Sequence, residues 1–205
     1  EKISNWLIKE INAKRKGTFN PECETIDHWF TIDAIKKLST IRTSINLIPE
    51  KFGDSKKVKD IQDLLLICFS SIIRRVSNAD NESQKTYVSH TKIKQPEEVN
   101  SLFFSQLNLF VERAIKFSET TNSEVKSKVV ISSSATSLEK NLKGQKIDLA
   151  VTSPPYIKAI DYIYNQMVEL FWIGDLFEMQ TQTRQNKKKT QYIGNKQISK
   201  VEFNN

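Results

Sequence analysis

The chain has 205 residues, of which 38% are hydrophobic, and its formal net charge is +7. This composition allows a buried core in one large or two small domains, and the positive charge favours a polyanionic partner. Two cysteines without a CxxC pair, and only two histidines, do not suggest a metal site. The longest apolar stretch, residues 64–73, is too short to span a bilayer, so we expect a reduced, cytoplasmic protein with no membrane partner.

The first 125 residues predict helices, because apolar side chains recur there at steps of three and four. The predicted helices include residues 6–11, residues 31–49, residues 54–76, and a fourth helix that begins with Pro96 in its first turn. Residues 77–96 are polar and predict a long loop, which in a domain of this size is typically functional or disordered.

From Lys128 onwards the pattern changes to that of a sheet. Residues 129–131 and 147–152 are short apolar runs that predict strands, and residues 134–142 between them predict a short helix. This order indicates a parallel pair of strands joined by a crossover. A further helix is predicted over residues 160–170 and stops at Gly174. The predicted fold class is therefore α/β, with a helical region over residues 1–125 followed by part of a sheet over residues 126–205.

A stiff loop follows the second predicted strand. It consists of Ser153, Pro154, Pro155 and Tyr156. Two successive prolines cannot extend a strand ladder or begin a helix interior, so they hold a hydroxyl, two carbonyls and an aromatic ring at the strand's end. In open α/β sheets that edge is where ligands bind. An isolated Pro-Pro-Tyr is more often a simple turn, but the strand before it and the helix after it favour a functional loop.

Residues 148–156, which read DLAVTSPPY, resemble motif IV of the amino-group DNA methyltransferases. Those enzymes methylate cytosine N4 or adenine N6, and the similarity extends over residues 147–174, with a weaker match over residues 70–78. The resemblance implies a partial Rossmann-like sheet, S-adenosylmethionine as cofactor and double-stranded DNA as partner. It also allows a cognate restriction endonuclease as a second partner and a DNA-engaging role for residues 1–125. Ser153 at the first motif position is commoner in the cytosine-N4 enzymes.

The chemistry of amine methylation explains these residue types. An exocyclic base amine is a poor nucleophile, because its lone pair is delocalised into the ring. The Ser153 hydroxyl and the Pro154 carbonyl can accept hydrogen bonds from both amine hydrogens and so localise that lone pair. Pro155 stiffens the loop, and Tyr156 can stack on a base extruded from the duplex. The remaining requirement is in-line placement of the methyl donor.

The chain departs from the family in two respects. Ser132, Ser133 and Ser134 stand where the family often has an acidic residue after the preceding strand. The family binds its methyl donor through a glycine-rich turn, whereas the five glycines here are never closer than twenty residues apart. Either the donor-binding half lies outside a fragment, which we favour, or the chain is a degenerate relative. The open alternatives to a cytosine-N4 enzyme are an adenine-N6 DNA methyltransferase, an RNA base methyltransferase and a catalytically silent DNA-binding relative.

Two groups of polar residues are candidates for DNA-backbone contacts. The first consists of Arg74, Arg75 and Asn78 at the end of the third predicted helix, where basic residues also stabilise a helix C-terminus without DNA. The second consists of Arg184, Lys187, Lys188 and Lys189 in a stretch without acidic residues, which is equally compatible with a solvated surface.

Overall fold

The computed structural model describes residues 2–13, 15–83, 85–121, 144, 146–152 and 161–189. Within these ranges all regular secondary structure is helical. The helices are α1 (Lys2–Asn12), α2 (Ile26–Trp29), α3 (Ile32–Asn46), α4 (Ile48–Phe52), α5 (Lys56–Val76), α6 (Val99–Thr120), α7 (Tyr162–Asn165), α8 (Met167–Ile173) and α9 (Gln182–Lys189), with a 3-10 turn at Gly174–Phe177. None of the described helices is long and apolar enough to cross a membrane.

Side-chain caps determine where the long helices begin. The Thr31 side chain accepts the Ala34 N–H at the start of α3, and the Ser55 side chain does the same for Val58 at the start of α5. These two starts confirm the sequence predictions. The prediction that Pro96 lies in the first turn of α6 is wrong, because Glu98 caps this helix by accepting the Ser101 N–H at 2.7 Å.

The core is built around α5, which packs against α3, α4, α6 and α8. Its apolar side chains point to more than one neighbour, as the sequence predicted for a helix with two buried faces. Five of them are completely buried: Cys68, Phe69, Ile72, Ile73 and Val76. Burial raises the pKa of the Cys68 thiol to about 12, so this cysteine is an inert core residue.

The predicted α/β class, with its partial Rossmann-like sheet, is wrong for the described part of the chain. Residues 147–152 were the predicted second strand, and they form no ladder there. Ile147, Leu149 and Val151 are 56%, 79% and 88% exposed. A strand requires a neighbour for its backbone hydrogen bonds and a layer to bury its apolar face, and the described residues supply neither. The first predicted strand, residues 129–131, and the predicted helix, residues 134–142, lie outside the described residues.

The helix predicted over residues 160–170 is present as two helices, α7 and α8, separated at Gln166. The predicted stop at Gly174 is confirmed, since this glycine is the C-cap of α8. A Cβ atom at Gly174 would lie 2.6 Å from the Met179 carbonyl oxygen, so the turn after α8 can close only around a glycine.

Trp172 of α8 anchors the C-terminal segment in the helical core. Its side chain is fully buried, and its ring lies 5.8 Å from that of Phe30, 6.1 Å from that of Phe19 and 6.2 Å from that of Phe69. The partners come from the first 76 residues, so the residues described on both sides of position 126 share one core.

Replacing Trp172 with alanine should lower the free energy of unfolding by about 3–5 kcal/mol, because it leaves a large cavity among three aromatic rings. Urea denaturation followed by circular dichroism measures this change. Phe177→Ala is the matched control, since the Phe177 side chain is 51% exposed, and it should change stability much less. Equal losses in the two variants would contradict the anchoring role of Trp172.

Candidate functional site

The motif residues Ser153, Pro154, Pro155 and Tyr156 lie outside the described residues, so their catalytic roles stay predictions. The structure does describe the helices on the C-terminal side of the motif, namely α7, α8 and the basic helix α9.

Asp161 fixes the start of α7, the first helix after the motif. One carboxylate oxygen accepts the Tyr164 N–H at 2.9 Å, and the other lies 3.1 Å from the Lys189 ammonium of α9. The same ammonium lies 5.2 Å from the centre of the Tyr164 ring, within range of a cation–π interaction. Lys189 thus connects α9 to the chain immediately after the motif.

The end of α7 is held by the long loop of residues 77–96. The carbonyl of Asn165 accepts hydrogen bonds from Arg74 at 3.2 Å and from the Thr86 hydroxyl at 2.8 Å. Arg74 also donates to the carbonyls of Asp80, Ser83 and Lys85. Arg74 therefore gathers the loop around one guanidinium group and ties it to the segment after the motif.

The other two candidates near α5 also have partners within the chain. Arg75 forms a two-pronged ion pair with Glu97, with both nitrogen–oxygen distances at 2.7 Å. The Asn78 side chain donates to the His28 carbonyl at 3.0 Å. A DNA contact by Arg74, Arg75 or Asn78 stays a prediction, and the contacts that all three make within the chain fix this loop.

Two charged residues that the sequence pattern did not single out are Lys94, within the loop, and Glu169, on α8. Lys94 donates its three hydrogens to the carbonyls of Arg74 and Ala79 and to the side chain of Asn81, at 2.6–2.9 Å. Burial, with the nearby Arg74 charge, lowers the pKa of Lys94 to about 8. Burial raises the pKa of Glu169 on α8, one of whose oxygens is buried without a partner among the described residues. Glu169 could have been found as a single acid within an apolar run.

The lowered pKa of Lys94 should make the free energy of unfolding increase between about pH 8 and pH 10.5. Its pKa is about 8 when folded and 10.5 ordinarily, so between these values the unfolded chain holds the proton more tightly. Deprotonation there favours the folded state, by on the order of 1 kcal/mol after allowance for solvent screening. The stability difference between the wild type and Lys94→Gln, measured by urea denaturation at pH 7 and pH 10, should shift in favour of the wild type at pH 10. A difference that is independent of pH would contradict this assignment.

The basic helix α9 presents three of its four candidate residues to one cavity. Arg184, Lys187 and Lys188, with Glu178, line an open cavity of about 430 Å³. The helix is docked by Gln185, which is buried and donates to the Met179 carbonyl at 3.0 Å. Cations that converge on an open cavity can contact the phosphates of a nucleic acid. The described residues contain no group of acids, histidines and cysteines that could hold a metal ion.

Comparison with models of protein families, with curated proteins and with solved structures found no match for this chain. The function is therefore inferred from the motif sequence and from the helices described on its C-terminal side.

If the α9 cations bind duplex DNA, replacing Arg184, Lys187 and Lys188 together by glutamine should weaken that binding about tenfold or more at about 0.1 M salt, because phosphate contacts supply much of the affinity at that salt concentration. The slope of log affinity against log salt should flatten by up to about three, because each phosphate contact contributes roughly 0.9. Fluorescence anisotropy over a series of salt concentrations measures both quantities.

The control removes the same charge from the start of α5, with Lys56, Lys57 and Lys59 replaced by glutamine. All three are exposed and lie outside the α9 cavity. If both triple variants bind DNA equally well, the α9 cations are only solvated surface.

Proposed function

We propose that this chain carries the base-handling loop of an amino-group DNA methyltransferase, with S-adenosylmethionine as methyl donor and cytosine N4 as the acceptor. The observation that carries the proposal is the run DLAVTSPPY over residues 148–156, continued by similarity to residue 174. Ser153 is the basis for favouring cytosine N4 over adenine N6.

The contacts of the helices on the C-terminal side of the motif support the proposal. A loop that positions a base amine must be held by its flanks, since a small displacement of reacting groups lowers the rate strongly. Here the following helix is held at Asp161 by Lys189 and at Asn165 by Arg74, and α8 is anchored by Trp172. Three cations of α9 line an open cavity. The ion pair between Lys189 and Asp161 connects α9 to the start of α7.

In the proposed mechanism the chain acts on the base. The Ser153 hydroxyl and the Pro154 carbonyl accept the two amine hydrogens, and Tyr156 stacks on the extruded ring. The methylated nitrogen then loses one proton, which is released to solvent. No covalent bond between enzyme and base is required.

The described residues do not fit a donor site of the family's kind. Among the described glycines, Gly17 and Gly174 bring backbone against backbone, where a Cβ atom would lie 2.3 Å and 2.6 Å from the nearest atom. Gly53 and Gly144 adopt positive φ in open space, far apart in sequence. No step through the donor is therefore assigned to the described residues. This same observation keeps a second candidate function open, a catalytically silent DNA-binding relative.

Methyl transfer distinguishes the two candidates. The protein, expressed from its whole gene, is incubated with labelled S-adenosylmethionine and duplex DNA, and the nucleosides are analysed. The expected product is N4-methylcytosine. Ser153→Ala and Tyr156→Ala should each reduce the rate by on the order of 100-fold or more, because each removes a group that acts on the reacting base.

Tyr87→Ala is a matched control, since Tyr87 is a partly exposed tyrosine outside the motif, and it should keep most of the activity. Wild-type rates in both motif variants would overturn the mechanism. N6-methyladenine, or methylation of RNA alone, would identify one of the alternative acceptors. DNA binding without any methyl transfer would support the silent relative.

A further inference from the structure

A second basic surface lies near the start of the chain, where the link after α1 crosses α3. There an open cavity of about 710 Å³ is lined by four basic side chains and one acidic side chain. The basic residues are Arg15, Lys16, Lys36 and Lys37, and the acid is Asp33. We call this cavity the α1–α3 groove. None of its residues belongs to the motif or to the α9 cavity.

The backbone that carries Arg15 and Lys16 is fixed against α3. The Thr40 hydroxyl donates to the Arg15 carbonyl at 3.2 Å, and the Thr43 hydroxyl accepts the N–H groups of Thr18 and Phe19 at 2.9 Å and 3.0 Å. Gly17 allows the link after α1 to approach the backbone of α3 closely, because a Cβ atom there would lie 2.3 Å from the Ser39 carbonyl carbon. A groove with a fixed wall loses little conformational entropy when a ligand binds.

The charges of the groove are unequally neutralised within the chain. Lys37 is paired with Asp33 at 2.8 Å and with Glu98 at 2.7 Å, and these partners raise its pKa. Arg15 pairs with Glu10 at 3.3 Å, but its side chain remains 75% exposed. Lys16 and Lys36 are exposed and form no ion pair with any residue that the structure describes. Arg15, Lys16 and Lys36 are therefore the cations available to an incoming anion.

Asn100 of α6 adds a polar group to the groove. It lines the cavity, and its side-chain oxygen is buried without a hydrogen-bond partner in the described part of the chain. An asparagine can donate to a phosphate oxygen through its amide nitrogen, whereas the amide oxygen is itself an acceptor and does not bind phosphate. The groove is open, whereas sites for small molecules enclose most of their ligand. Exposed cations along an open groove fit an extended polyanion better than a single small anion.

We propose that the α1–α3 groove is a second DNA contact, in which Arg15, Lys16 and Lys36 bind the phosphodiester backbone of the duplex. This inference rests on the proposed function, since it takes duplex DNA as the partner. It adds that the helical region contributes to binding independently of the motif and of α9. The contact is to phosphates, so it adds affinity and no sequence preference.

The test replaces Arg15, Lys16 and Lys36 together by glutamine in the whole chain. Affinity for a duplex is measured by fluorescence anisotropy at several salt concentrations, and circular dichroism verifies that the fold is kept. We expect a loss of about tenfold or more at the lowest salt, and a decrease in the salt slope of up to about three. The loss should be the same for duplexes of unrelated sequence. The Lys56, Lys57 and Lys59 triple variant, which removes the same charge, should bind nearly as the wild type does.

Three outcomes would overturn the proposal: equal affinities of the groove variant and the wild type, equal losses in the groove and control variants, or a wild-type preference for RNA of the same length. If the groove variant binds normally while Ser153→Ala abolishes methyl transfer, the groove proposal fails and the proposed function stands. If the groove variant loses affinity and the wild type transfers no methyl group to DNA, the proposed function fails and the DNA contact stands.

Discussion

The structure depends on two buried residues in contact, Trp172 of α8 and Arg42 of α3. The Arg42 guanidinium is almost completely buried, donates to the Trp172 carbonyl at 3.2 Å, pairs with Asp175 at 2.9 Å and hydrogen-bonds to Asn46. It also lies 4.9 Å from the centre of the Phe19 ring. Burial lowers the pKa of Arg42, while the Asp175 carboxylate raises it. A buried arginine is tolerated because its donors are matched, so this arrangement fixes α8 and the following turn on α3.

That anchoring point determines which residues contact α7, the helix described on the C-terminal side of the motif. With α8 fixed, α7 can be reached from two directions: by Arg74, which brings the loop of residues 77–96, and by Lys189, which brings α9. The polar residues that the sequence suggested for DNA are thereby divided. Arg74, Arg75 and Asn78 are engaged in holding the loop, whereas Arg184, Lys187 and Lys188 line a cavity. Proximity in sequence gave no indication of this division, because it depends on distant partners.

Most of the helical architecture could be predicted, because helix periodicity and caps are local. The side chains of Thr31 and Ser55 each accept the backbone N–H three residues further along the chain and so begin their helices. Gly174 ends α8 at a position where a side chain would clash with the Met179 backbone. The sheet predicted over residues 147–152 was wrong. A short apolar run such as residues 147–152 has the same composition whether it pairs or stays exposed, and only a neighbouring strand decides which. The pKa shift at Lys94 was equally inaccessible, since burial by distant segments causes it, whereas the apolar run around Glu169 indicated that this acid is buried.

The sequence by itself determined the positions of the long helices, the excess of positive charge and the motif that carries the functional hypothesis, since each of these is a property of neighbouring residues. Tertiary structure alone decided that residues 167–173 belong to the same core as the first helices, that Arg42 is buried, and that Arg15, Lys16 and Lys36 share one groove. The physical reason is that burial and electrostatic pairing depend on which segments meet in space, and the local pattern of a chain does not contain that information.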